Sequence, residues 1–62
     1  MKQFDKVKLV SESFNNYGVN IGSIGYILDI FPDGNLDVEF SDSESGETIA
    51  IIILSPVHVE IL

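Results

Sequence analysis

Residues Gly22–Phe40, GSIGYILDIFPDGNLDVEF, decide the fold. Two runs rich in large aliphatic and aromatic residues flank Pro32-Asp33-Gly34-Asn35. Proline presets φ for a turn, and glycine and asparagine tolerate the left-handed region. The stretch therefore predicts a β-hairpin, with strands over Ile24–Phe31 and Leu36–Phe40. In the second strand Leu36, Val38 and Phe40 alternate with Asp37 and Glu39, the period-two pattern of a strand with one wet face. In the first, Ile24, Tyr26, Leu28 and Ile30 share one parity and are expected to face the core. Gly25, Ile27, Asp29 and Phe31 take the other parity, which Asp29 marks as the more solvated. Gly22 and Gly25 suit positive φ or close backbone approach at a bend into a barrel strand. A phosphate cradle at this G-x-x-G would want a basic neighbour and a following helix, and neither is present.

Outward from the hairpin the chain continues as short strands. Phe4–Val10 alternates, with Val7 and Leu9 inward and Lys6 and Lys8 outward. Phe4 falls on the lysine parity, so it is expected to turn over at the strand start or to cover a barrel end. Ser11–Asn20 reads as a loop of Ser, Asn and Gly that carries Phe14, Tyr17 and Val19. Such a loop either plugs the core or displays a binding surface. Ser41–Gly46 is a wholly polar connection. Glu47–Leu54 is a fourth strand, because consecutive isoleucines favour extended backbone over helix. Ile49, Ile51 and Ile53 lie on one face and Thr48, Ala50, Ile52 and Leu54 on the other. Both faces are apolar, so something must cover the second: a curled barrel, the long loop or another chain. Glu47 and Pro56 flank the run as breakers against aggregation. Ser55-Pro56-Val57-His58 fits one helical turn, with Ser as N-cap and Pro at the first position. Val59–Leu62 is a short last strand. The expectation is one all-β domain over residues 1–62: a small five-stranded SH3-like barrel with a short 3-10 turn before the last strand. An OB-like barrel is the alternative, though it usually needs a longer chain and a helix.

At 62 residues, 45% of them hydrophobic and none cysteine, the chain has one compact core to rely on and no disulfide or thiolate metal site. No apolar h-region follows Met1 and no apolar run reaches the length of a membrane helix, so a cytoplasmic protein is expected. Ten acids stand against three lysines and no arginine, a net charge of −7. The lysines are Lys2, Lys6 and Lys8, and every acid except Asp5 comes after them. Phosphate neutralisation needs Lys or Arg, so nucleic acid is disfavoured as a partner. An acidic surface suits a basic protein, or serves solubility alone.

The order GSIGYI, PDG, VEF, GETIA, LSPVHVEIL is similar to a family of very short bacterial proteins known as domain of unknown function four-nine-two-six. The resemblance runs from about Asp5 to Leu62. It implies an SH3-like or KOW-like barrel and supplies no catalytic residues. Members often occur as stand-alone genes, which suggests an immunity or antitoxin role. The G-x-x-G-x-I stretch followed by V-E-F also resembles the KOW motif of ribosomal and transcription proteins, but the basic residues of that motif are missing.

Catalytic chemistry finds few candidates. His58 is the only imidazole, and a nucleophile would depend on it. Asp37 and Glu39 would lie side by side on a solvated strand face, without the cleft that shifts a carboxyl pKa. Asp42, Glu44 and Glu47 around Gly46 miss the EF-hand spacing. No enzyme activity, cofactor or metal is expected. The leading expectation is a protein-binding module whose acidic face comprises Asp29, Asp33, Asp37, Glu39, Asp42, Glu44 and Glu47, flanked by Phe14, Tyr17 and Phe31. The alternative is self-association, as a homodimer, through Ala50, Ile52 and Leu54 or by adding strand to strand at an edge.

Overall fold

The computed structural model describes residues 1–62. Its five strands are β1 (Lys6–Leu9), β2 (Ile24–Ile30), β3 (Leu36–Ser41), β4 (Thr48–Leu54) and β5 (Val59–Ile61). Two single 3-10 turns, Asn15–Tyr17 and Pro56–His58, are the only helical elements. The second lies immediately before the last strand, as in an SH3-like barrel. All pairings are antiparallel in one sheet of order β4-β3-β2-β1-β5. The meander β2–β3–β4 thus follows chain order, while β5 returns to pair with β1. The sheet curls over ten buried apolar residues: Val7, Leu9, Val19, Ile27, Leu36, Val38, Phe40, Ile52, Leu54 and Val59.

Local chemistry accounts for the turns. In the hairpin, Gly34 has φ 92°. The Gly34 N–H donates to the Phe31 carbonyl at 2.9 Å, and the Phe31 N–H donates to that of Asn35 at 2.8 Å. Ahead of β5, the Ser55 hydroxyl accepts from the Val57 N–H at 3.4 Å, and His58 Nδ1 accepts from the Ser55 N–H at 3.2 Å. This reciprocal cap starts the 3-10 turn at Pro56. The long loop contributes to the core: Val19 is fully buried, and Phe14 packs against the core and meets the His58 ring edge-on at 4.9 Å.

The expected parity of β2 is inverted. Gly25 and Ile27 face the core, whereas Tyr26 is on the outer face. The cause is the pairing of Gly25 with Phe40. A Cβ at Gly25 would stand 2.8 Å from the Glu39 carbonyl oxygen and 3.0 Å from Phe40 Cδ1, so the phenyl ring occupies the space a side chain would take. A bulge between Ile27 and Asp29 then resets the register. Ile30 comes opposite Leu36, and Asp29 opposite Asp37. Directly opposite residues share a face, so Ile30 does lie on the inner side, at the barrel rim, where it is 39% exposed. Phe4 covers nothing: it is 70% exposed, at φ 72°, held by its N–H to the Ile27 carbonyl at 2.6 Å.

Candidate docking surface on the outer sheet face

Register assembles the outer face in rows across the strands. Lys6, Tyr26, Glu39 and Ile51 form one row, and Asp29, Asp37 and Ile53 the next. Charge therefore changes across the sheet, from lysine on β1 through aromatic and acid to bare isoleucine on β4. Tyr26 is 41% exposed, Ile51 57% and Ile53 62%. Ile49 is exposed too, but it is the unpaired residue between the Phe40–Ala50 and Ser41–Thr48 pairs, beside Gly18, and is not part of these rows. Ile51 and Ile53 are outward because their neighbours Ala50, Ile52 and Leu54 turn inward.

That inward turn corrects the expected self-association set. Ile52 and Leu54 belong to the buried core, and Ala50 packs against it. Ile52 pairs with Val38 and Leu54 with Leu36, both inward residues of β3, which fixes the parity of β4. The uncovered apolar face is the other one.

The acids of β2 and β3 have unequal surroundings. Glu39 accepts from the Thr48 hydroxyl at 2.6 Å. Asp29 accepts from the Ile30 N–H at 2.8 Å. Asp37 is half-buried, sits opposite Asp29, and has no cation near it. The ion pair of the chain, Lys8 with Glu60 at 3.8 Å, lies at the β1–β5 side. Like charges directly opposite on a sheet face are destabilising by roughly 0.2–1 kcal/mol.

The remaining candidate residues divide between structural and free positions. Asp33 is tied into the hairpin turn, accepting from the Asn35 N–H at 2.9 Å and its side-chain amide at 3.3 Å. Asp42 organises the β3–β4 loop, accepting from the N–H groups of Glu44 at 2.8 Å and Ser45 at 2.9 Å. Those N–H groups, Ser45's first, hold its carboxyl below the usual range. Glu44 and Glu47 are exposed in that loop. Phe14 is half-buried against the core, and Tyr17, with its ring centre 6.3 Å from that of Phe14, is exposed. Phe31 lines an open depression with Pro32, Asp33, Asn35 and Ile53, at one end of the isoleucine row. The residues of this face that sequence reasoning missed are Tyr26, Ile51 and Ile53. Gly25 opposite Phe40 accounts for Tyr26, whereas for the isoleucines of β4 only the strand pairing decides.

The arrangement offers charge and apolar area. His58 is spent on the cap, and no group of three or more His, Asp or Glu side chains is placed to hold a metal ion. No helix is long and apolar enough to cross a membrane. The family model described as domain of unknown function (DUF4926) matches residues 3–61. The chain belongs to the DUF4926 family. The match to the DUF4926 model spans every strand of the fold. No curated protein and no solved structure matches the chain.

Proposed function

We propose that this DUF4926 domain is a non-enzymatic binding module for a basic protein, docked on the outer face of β2, β3 and β4. The observation that carries the reading is Asp37. It faces Asp29 with no cation nearby, in a row that ends on exposed Ile53 and beside the row that holds exposed Tyr26 and Ile51. A local arrangement that weakens the free protein is typical of functional surfaces. A lysine or arginine from a partner would relieve the repulsion, while the flanking apolar side chains supply contact area. Nucleic acid would meet the wrong charge here. The concrete form is an immunity protein or antitoxin, acting in a bacterial cytoplasm by covering the active site of a basic toxin such as a nuclease.

Asp37→Asn tests this directly. The variant is expected to be more stable than wild type by a few tenths to about 1 kcal/mol, measured by urea denaturation. It should also capture less of a basic protein from host lysate, with a shallower salt dependence. Unchanged affinity and salt dependence for the captured partner after reversing Asp37 and Glu39 to Lys would remove the reading.

The exposed isoleucines favour a second reading, self-association through Ile51 and Ile53. Each copy carries a charge of −7, which opposes it. A monomer in sedimentation at micromolar concentration, together with a well-folded Ile51→Lys variant, would dispose of this reading.

A further inference from the structure

The geometry points to the manner of docking: the partner adds an extended, basic segment to the free edge of β4. This rests on the proposed basic partner and specifies how it is held. β4 is the last strand of the sheet on its side. No backbone group of Thr48–Leu54 hydrogen-bonds anywhere except to β3. Half of its N–H and C=O groups therefore point outward without a protein partner. Edges of this kind are ordinarily guarded by lysine, by proline, by a short strand or by a bulge. β4 has seven residues, with no charge and no proline, and its irregularity lies at the start, between the Phe40–Ala50 and Ser41–Thr48 pairs. Ala50–Leu54 is left regular. The opposite edge, β5, is only three residues long and carries Glu60 paired to Lys8.

Charge selects the occupant. An added strand would run about 5 Å from β4 and about 10 Å from β3. Its outward side chains would lie first over Ile51 and Ile53, then reach Asp37 and Glu39 on β3. Lysine and arginine suit both zones, because the alkyl stem packs on apolar surface while the charged head extends beyond it. The inward parity would be apolar, continuing the core side of Ala50, Ile52 and Leu54. The fitting segment thus alternates apolar and basic residues. Main-chain bonds supply affinity and alternate side chains supply specificity, as in other cases of strand addition. A second copy of this chain would bring an isoleucine edge and two further acids instead, so it fits the apolar zone but not the charged one.

The test uses an eight-residue alternating Val-Lys peptide with the isotope-labelled domain. The expected result is slowed exchange and shifted resonances of the outward β4 amides. Binding should weaken at least roughly tenfold when every peptide nitrogen is methylated, which keeps the charge but removes the donors. Asp37→Asn with Glu39→Gln should weaken it by a similar factor. Equal binding of the methylated peptide, or protection at β5 instead of β4, overturns strand addition. So does failure of the peptide to bind, and so does a peptide-free dimer whose β4 amides are already protected. None of these outcomes touches the basic-partner reading, which stands or falls on the lysate capture.

Discussion

Gly25 carries more of the fold than its size suggests. The Cβ of an alanine there would stand 2.8 Å from the Glu39 carbonyl oxygen and 2.8 Å from Val38 Cγ1. The first of these is backbone within the ladder and cannot move aside cheaply. Gly25→Ala is therefore expected to cost about 1–3 kcal/mol, read as a lowered urea midpoint. That a glycine here allows close approach is visible in the sequence. Which face it occupies is not, because glycine reads as neither polar nor apolar, and the parity of the whole strand follows from it. Asp42 is a second residue with a definite signature. Its carboxyl is held below the ordinary value by the Ser45 and Glu44 N–H groups. A depressed folded pKa stabilises the fold above the unfolded value, and that contribution is lost as pH falls through the folded value. Asp42→Ala should thus lower stability at neutral pH and flatten its acid limb, below pH about 4, in circular dichroism followed against pH.

At the scale of the strand, β3 was fully legible and β2 and β4 were not. Leu36, Val38 and Phe40 alternate with acids, so polarity alone assigns their faces. β4 has isoleucine on both sides, so only its pairing partners decide. Ile52 faces Val38 within the barrel and Ile51 faces Glu39 outside it. Ile52→Ala is expected to cost about 2–5 kcal/mol, while Ile51→Thr should change stability by no more than about 0.5 kcal/mol. Thermal unfolding of the two variants side by side checks the orientation. In β2 the bulge at Leu28 defeats any simple parity, since residues before and after it follow different alternations. The acids of the candidate surface could be named from sequence because a carboxylate on a strand is outward almost by definition. Its apolar half could not, because an isoleucine reads as core until its neighbours are placed.

For the molecule as a whole, charge and size work against each other. A domain of about 60 residues buries only about 60% of its unfolded surface, yet this one carries a net charge of −7. Self-repulsion destabilises the compact state and is screened by salt. Raising ionic strength from about 0.01 M to about 1 M shortens the Debye length from roughly 30 Å to 3 Å. The melting temperature should rise accordingly, and it should rise less for Asp37→Asn, which has already shed one repulsive pair. Strand order also sets the sequence of events during folding. The meander β2–β3–β4 closes through short connections, whereas β1 and β5 meet only after Val7 finds Ile61 across nearly the whole chain. Loop-closure entropy delays such distant pairings. The free side of β4 is therefore built in the early-forming half of the barrel, before the far edge closes. A waiting partner strand would find its template on a chain still completing its fold, so assembly and folding need not be separate steps in time.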